Sequence, residues 1–257
     1  MALAYQTALT IESVIKDIDS KKYLLPSIQR EFVWSTGQIE KLFDSLMRDY
    51  PINAFLFWKV PREKVSEFKF YEFLRDYHQK DNKHNPKANT NGTEDIIAIL
   101  DGQQRMTSLY IALKGTYAYK MSYKRWDNPA AYPKRKLYLN LLAASDDADM
   151  FYDFLFLTEE EAKNIKNDND EYEGSFWFPV GKILDFREES DVNDYLIDND
   201  LNTVADKAQA KFANKALFKL YSIIHNKQTI SYYLEESTEL GLSLIHISEP
   251  TRHAQIS

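Results

Sequence analysis

Residues 96–113 read IIAILDGQQRMTSLYIAL, and this stretch indicates both the central part of the fold and the position of a candidate binding site. Ile96–Leu100 is a continuous apolar run, which is typical of a strand buried on both faces. Asp101-Gly102 interrupts the run, and apolar residues at helical spacing resume over Met106–Leu113. The sequence therefore predicts a central strand, a tight turn and a helix.

The turn itself, DGQQR, carries residue types that suit phosphate binding. A strand that runs into a helix leaves free backbone N–H groups and the positive end of the helix dipole at the strand's exit. Gly102 lets the backbone turn tightly beside a ligand, and Arg105 offers a planar guanidinium that matches phosphate oxygens. Asp101 can hold a divalent metal beside phosphates, and Gln103 or Gln104 can orient an attacking water. Asp-Gly turns before helices are also common without a ligand, so spacing alone leaves a phosphate site and a structural turn both open.

A second polar cluster lies within Pro26–Trp34, which reads PSIQREFVW. Gln29 and Arg30 stand there among residues that favour burial. A buried arginine needs a partner, which is either a carboxylate, such as that of Glu31 or Asp101, or an anionic ligand. The sequence alone leaves both alternatives open for this cluster.

Composition limits the classes of function that the chain can serve. The chain has 257 residues, a net charge of −7 and no cysteine, which excludes disulfides, zinc–thiolate sites and cysteine nucleophiles. The first residues lack the long apolar stretch of a signal peptide, and the apolar runs are too short to span a bilayer, so we expect a cytoplasmic protein without membrane contact. The negative charge argues against a protein that coats DNA, so any nucleic-acid contact must be local.

Two basic stretches, Lys120–Arg125 and Lys134–Lys136, are the local exceptions to the acidic composition. The first lies inside Tyr117–Trp126, whose aromatic residues can stack on nucleic-acid bases or pack on a neighbouring sheet. A run of like charge is also typical of a plain solvated surface. The sequence leaves these alternatives open.

The remaining patterns mix helices and strands without a βαβ repeat, which predicts an α+β fold. Ser35 and Gln38 have the spacing of a capping box at the start of a helix. Tyr77–Glu94 is expected to be a surface loop, and Glu159–Glu173 a solvated helix or loop. Further helices are predicted at Thr10–Asp19 and Asn202–His225, and further strands at Lys22–Leu25, Ala54–Val60 paired with Phe68–Phe73, Lys136–Leu141, Phe176–Val180 and Gln228–Leu234.

Taken together, Pro26–Trp34, Tyr50-Pro51-Ile52 and Leu100–Leu109 (LDGQQRMTSL) resemble the N-terminal domain family of GmrSD-type restriction endonucleases. The resemblance extends over residues 8–240, and the pairing of QR-x-x-x-W with DGQQR is its specific part. It implies a ParB/sulfiredoxin-like mixed sheet with surrounding helices and a helical C-terminal part. Residues 8–145 then form the nucleotide-binding core with both motifs, and residues 146–240 form the rest of the same domain.

The resemblance also implies a function. Such a domain is expected to bind and hydrolyse a nucleoside triphosphate with Mg²⁺, and to regulate an endonuclease directed at phage or modified DNA. Carried over by motif, the catalytic residues are Asp101, Gln103, Gln104 and Arg105, with Asp101 as the metal ligand; the nucleotide-binding residues are Gln29, Arg30, Gly102, Arg105 and Thr107. The alternative is a module that binds DNA or senses its modification without nucleotide turnover.

The end of the chain departs from the family pattern. Leu242–Arg252 (LSLIHISEPTR) resembles a translated sequencing-library adapter, so we expect residues 241–257 to be an artefactual tail. Members of the family usually continue into an FxRxNSGG stretch and a helical region, and many carry an HNH-type nuclease. The chain has five histidines and no HNH constellation, so we expect the nuclease to reside in a further domain or subunit and this chain not to cut DNA.

Overall fold

A computed structural model describes residues 4–27, 31–90, 96–164, 175–203 and 207–236. Gln29 and Arg30 of the predicted site lie outside the described residues, and so does the segment Leu242–Arg252. The predicted α+β class is confirmed, because mixed sheets are packed against helices. The helices are α1 (Ile11–Asp19), α2 (Thr36–Met47), α3 (Gln103–Lys114), α4 (Glu159–Asn164), α5 (Glu189–Asp198) and α6 (Lys207–Tyr221), with short 3₁₀ turns at Arg62–Glu67, Pro129–Ala131 and Val180–Asp185 and a π turn at Ser222–Asn226.

The strands form a central sheet, a second sheet and a short two-stranded pair. The central sheet has the order β1-β13-β4-β7-β3-β5, the second sheet has the order β10-β9-β8-β6 with β11 also pairing with β9, and β12 pairs with β2. The strands are β1 (Ala4–Tyr5), β2 (Leu9–Thr10), β3 (Tyr23–Pro26), β4 (Phe55–Val60), β5 (Phe70–Tyr71), β6 (Asp76–His78), β7 (Ile96–Asp101), β8 (Thr116–Ala118), β9 (Lys134–Ala144), β10 (Tyr152–Leu157), β11 (Trp177–Pro179), β12 (Gln228–Ile230) and β13 (Tyr232–Glu235).

Strand β7 lies inside the central sheet, antiparallel to β4 and parallel to β3. Ile99 is buried in the main core on one face of this strand, while Ile96 and Ala98 are buried in a smaller cluster on the other face. A strand covered on both faces has no need of polar alternation. The prediction of a doubly buried strand from its continuous apolar run is therefore confirmed.

Two helix starts also follow the sequence. Thr10 caps α1, where its hydroxyl accepts a hydrogen bond from the Ser13 N–H at 3.2 Å. Ser35 and Gln38 form the predicted capping box at α2, each satisfying a backbone N–H of the other. Each cap is encoded within four residues; the capping box of α2 was predicted, whereas for α1 the helix was predicted but its cap was not.

Other strand predictions were wrong in their pairing or extent. Within Phe68–Phe73 only β5 is a strand, and it pairs with β3 because both edges of β4 are taken by β7 and β13. Residues 77 and 78, assigned to a loop, belong to β6, which pairs with β8. The run Gln228–Leu234 separates at Ser231 into two strands that join different sheets. Helix α5 and strand β10 were not predicted.

No helix in the part of the chain that the structure describes is both long and apolar enough to cross a lipid bilayer. The main core lies between the sheets and the helices that pack on them, with α2 against β10 and α6 against β9, whereas the smaller cluster on the other face of the central sheet is covered by the 3₁₀ turn Arg62–Glu67 and a loop.

Candidate functional site

The turn after β7 has the geometry that its sequence predicts. Gly102 has φ +86°, a left-handed conformation that side-chain-bearing residues rarely adopt, and α3 begins directly after it. A Cβ atom at this position would collide with the ring of Phe55, 2.6 Å from its Cε1. Both the backbone angle and the close approach of β4 therefore require glycine. Since glycine has no capping side chain, the start of α3 presents its backbone N–H groups at the exit of the central strand.

Gln104 joins the two sequence motifs. Its side-chain oxygen accepts a hydrogen bond from the Val33 N–H at 3.1 Å, and its side-chain nitrogen donates to the Glu31 carbonyl at 3.0 Å. The amide thus binds the chain before α2 much as a neighbouring strand would. A further bond from the Tyr117 hydroxyl to the Trp34 carbonyl, at 3.0 Å, fixes the end of the same segment. The described part of the first motif, residues 31–34, therefore lies against the DGQQR turn.

Arg105 turns its guanidinium toward the loop that precedes β4. Nη1 donates to the carbonyls of Ile52 and Asn53, the latter at 3.0 Å, and Nη2 donates to the Ala54 carbonyl at 3.2 Å. The guanidinium also lies 4.5 Å from the centre of the Phe55 ring. Burial lowers the pKa of Arg105, and the nearby Asp101 opposes that shift. In this arrangement Arg105 holds the loop in place, so a phosphate contact would require some of these donors to change partner.

Asp101 is the exposed acid of the turn. Its side chain is 75% exposed, and one carboxylate oxygen lies 3.8 Å from Arg105 Nη2. Among the described residues no three histidine, aspartate or glutamate side chains converge as a metal cage. Mg²⁺ is commonly held by one or two carboxylates together with substrate phosphates, and an open carboxylate at the end of a strand fits that mode.

Gln103 and Thr107 form bonds inside the turn and helix. The Gln103 side-chain nitrogen donates to the Ile99 carbonyl at 2.9 Å. The Thr107 hydroxyl donates to the Gln103 carbonyl at 2.8 Å, and the residue is only 3% exposed. The Gln103 side chain is close to the surface, whereas Thr107 would have to redirect its hydroxyl to contact a phosphate. The predicted roles of both residues stay predictions.

Sequence reasoning did not anticipate the backbone groups that complete the site. The carbonyls of Ile52–Ala54 and the polar groups of Glu31 and Val33 are main-chain atoms, so no residue type identifies them. Asn53 carries the one usable signal. Its φ of +62° is a left-handed conformation that asparagine tolerates better than most residues, and it follows Pro51 and Ile52 in a short polar loop.

Comparison with protein families places the chain among restriction-type phage-defence proteins. Residues 11–248 match the family described as "GmrSD restriction endonuclease, N-terminal domain", and the chain belongs to this family. The predicted family is therefore confirmed.

A curated relative extends the similarity to an archaeal protein. An uncharacterized protein of Methanocaldococcus jannaschii is 33% identical over 113 residues, which is 44% of this chain. The matched part of this chain covers 18% of the relative's length, which is about a fifth of that longer protein.

Proposed function

We propose that this chain binds a nucleoside triphosphate together with Mg²⁺ at the carboxyl end of β7, and hydrolyses it. The observation that supports this most directly is the pair of hydrogen bonds from the Gln104 side chain to the backbone of residues 31 and 33. These bonds hold residues 31–34 of the first motif against the DGQQR turn. Residues 31–34 and the DGQQR turn, about 70 residues apart in sequence, therefore lie together at the carboxyl end of β7, as a shared ligand would require.

Backbone groups and side chains at this site have different roles in phosphate binding. Backbone N–H groups at the start of α3 and at Gly102 face the phosphates, and the helix dipole favours the negative charge. We also assign Gln29 and Arg30 to phosphate binding, on the family motif alone, because they lie outside the described residues. Asp101 would hold Mg²⁺, which when bound neutralises phosphate charge, and Arg105 maintains the loop at residues 52–54 against the turn.

Of the two glutamines, we assign Gln103 to the orientation of water. Both the oxygen and the nitrogen of the Gln104 side chain form hydrogen bonds with the backbone of residues 31 and 33. The Gln103 side-chain nitrogen donates to the Ile99 carbonyl, and we assign its oxygen to the water. Water would attack the terminal phosphorus, the bond from that phosphorus to the bridging oxygen would break, and a proton of the water would pass to a phosphate oxygen or to solvent, giving the nucleoside diphosphate and inorganic phosphate.

We place this activity within a DNA restriction system, in line with the family description. The chain would act as the regulatory domain, with an HNH-type nuclease supplied by a further domain or subunit. Phage or modified DNA would then be the substrate of the assembled protein.

The test is a thermal-unfolding panel of nucleoside triphosphates with Mg²⁺. A ligand at 100 times its Kd should raise Tm by roughly 5–10 °C for a domain of this size. Asp101→Asn should abolish most of that shift, and Gln103→Ala should leave binding intact while slowing phosphate release. Asp198→Asn, which neutralises an exposed carboxylate at the end of α5, is the matched control and should behave like the parent chain.

Arg105→Ala is a poor test of binding because the loss of its bonds to the 52–54 carbonyls would lower stability without any ligand. If no triphosphate shifts Tm and the chain instead binds duplex DNA in a salt-sensitive manner without nucleotide, the proposal is wrong and the DNA-binding alternative is favoured.

A further inference from the structure

The hairpin formed by β8, β9 and the loop between them is a basic region in an acidic chain. Residues 116–144 contain six basic residues and one acidic residue, a net charge of +5, whereas the whole chain carries −7. The acid is Asp127, which pairs with Arg125 at 3.3 Å with both side chains largely exposed. Exposed ion pairs of this kind contribute little to stability because water competes for both charges. Arg125 can therefore leave Asp127 and bind another anion. We call residues 116–144 the basic hairpin.

Two aromatic side chains of the basic hairpin point into solvent. Tyr117 packs in the main core and Tyr119 packs against it, so two of the four aromatic side chains in residues 117–126 stabilise the fold. Tyr123 is fully exposed and Trp126 is 51% exposed, and Lys124 and Arg125 lie between them in sequence. Proteins that bind single-stranded nucleic acid combine basic side chains with exposed aromatic rings on which bases stack, and this loop carries both.

The loop that carries these rings is held in one shape. Lys120 donates through its ammonium group to the carbonyls of Met121 and Lys124, at 3.1 and 2.9 Å, and its N–H bonds to the Gln79 side chain at 2.7 Å. The Tyr132 hydroxyl donates to the Trp126 carbonyl at 3.0 Å, and the two rings meet edge to face. These bonds fix the backbone on either side of Tyr123 and at Trp126, and an ordered backbone loses less entropy on binding.

Tyr123 also has a strained backbone, with φ +63°. This conformation is unfavourable for a bulky residue, and glycine or asparagine would adopt it more easily. Strained positions of this kind concentrate at binding sites. The strain directs a ring away from the protein, where it makes no compensating contact with the sheet.

Two further exposed lysines of the basic hairpin lie on β9. Lys134 and Lys136 are exposed on one face of the strand, and they line a cavity of about 520 Å³ whose wall includes Tyr138 and Trp177. Lys163 lines the same cavity and pairs with Glu159. Glu159 also lines this cavity, so three ammonium groups, one carboxylate and two aromatic rings surround it, and the recess keeps a net positive charge.

From these observations we infer that the basic hairpin binds a single strand of nucleic acid, with unpaired bases stacked on Tyr123 and Trp126 and phosphates bound by Lys124, Arg125, Lys134 and Lys136. A duplex hides the faces of its bases, so stacking on these rings requires unpaired bases. This binding surface is separate from the nucleotide site that we propose at the end of β7.

The experiment measures fluorescence anisotropy of a labelled 20-nucleotide poly(dT) and of a 20-base-pair duplex with the full chain at two salt concentrations. We expect tighter binding of poly(dT), weakened by salt. Tyr123→Ala with Trp126→Ala should weaken it by about tenfold or more, whereas Tyr123→Phe with Trp126→Phe should retain it. Lys124→Glu with Arg125→Glu should weaken it and make the dependence of log Kd on log salt shallower by about 1.4.

The control is Lys211→Glu with Lys215→Glu, an equal change of charge at exposed positions of α6, which should leave the affinity nearly unchanged. The nucleotide-induced Tm shift should be the same in the parent chain and in the hairpin variants, which separates this inference from the proposed function. Absence of poly(dT) binding, tighter binding of the duplex, or equal losses in the control and hairpin variants would each overturn the inference. Docking of a protein on the hairpin would then be the better interpretation of its exposed rings.

Discussion

At the scale of single residues, Gly102 carries the sharpest constraint of the site. Gly102→Ala should destabilise the protein by about 2–4 kcal/mol, because the left-handed backbone becomes strained and the new methyl group collides with Phe55. Gly37→Ala is the matched control, since Gly37 lies in α2 and its nearest contact would be Glu40 Oε2 at 3.9 Å. The control should be stabilised by about 0.5–1 kcal/mol. Urea denaturation measures both, and a neutral Gly102→Ala would contradict the geometry of the turn.

The residue scale also shows what sequence could and could not predict at the site. The turn at Asp101-Gly102 and the start of α3 follow from an apolar run, a glycine and helical spacing, all within 18 residues. The partners of Gln104 and Arg105 are backbone groups more than 50 positions away, so no local pattern encodes them. An arginine that was predicted to face an anion thus has main-chain carbonyls as its partners in the structure.

At the scale of elements, the contact between α2 and β10 should make stability depend on pH. Burial raises the pKa of Glu40 to about 7, with a smaller contribution from Asp153, while the hydrogen bond from the Phe156 N–H at 3.0 Å opposes the shift. Because the folded pKa exceeds the ordinary value of 4.5, the folded state keeps this proton to higher pH than the unfolded chain. The resulting stability is present below pH 4.5 and is lost as the pH rises to about 7, an effect of about 1–3 kcal/mol.

Glu40→Gln keeps an acceptor for the Phe156 N–H and removes the titration. Its free energy of unfolding should therefore fall less than that of the parent chain between pH 5 and pH 8, as measured by urea denaturation at several pH values. The pKa of Asp153 is also raised by burial, so a residual dependence of the same sign should remain in the variant. If the free energy of unfolding changed equally with pH in the two proteins, the ionisation of Glu40 would not destabilise the folded state and the prediction would be wrong.

Elements with local signals were predicted, and their neighbours were not. The caps of α1 and α2 are fixed by residues within one turn of each helix start; the capping box of α2 was predicted, and α1 was predicted as a helix without its cap. Strand β5 was assigned to the wrong neighbour because β3, which precedes it by more than 40 residues, offers an open edge while β4 has none. Strand pairing depends on which edges are free, and that is a property of the assembled sheet.

At the scale of the whole molecule, the central sheet joins distant parts of the chain. Strand β13 lies between β1 and β4, so residues 4–5, 55–60 and 232–235 are adjacent although most of the chain separates them. Tyr232 stacks on Phe57 with ring centres 4.5 Å apart, and Ile230 just before it is fully buried. The closing strand is therefore an interior strand of the core sheet, although the sequence after residue 228 indicated little more than strand character.

Removal of the closing strands should therefore prevent cooperative folding. A chain that ends at Lys227 loses β12 and β13, which exposes the edge of β4 and the apolar surface beneath Ile230, so we expect a broad thermal transition and concentration-dependent aggregation. A chain that ends at Leu240 keeps both strands and removes the adapter-like segment, and it should unfold with the same Tm as the full chain. Calorimetry and light scattering distinguish the three proteins. A cooperative transition in the chain that ends at Lys227 would contradict this prediction. It would mean that β4, β7 and the core on their inner faces hold the DGQQR turn in place without the closing strands.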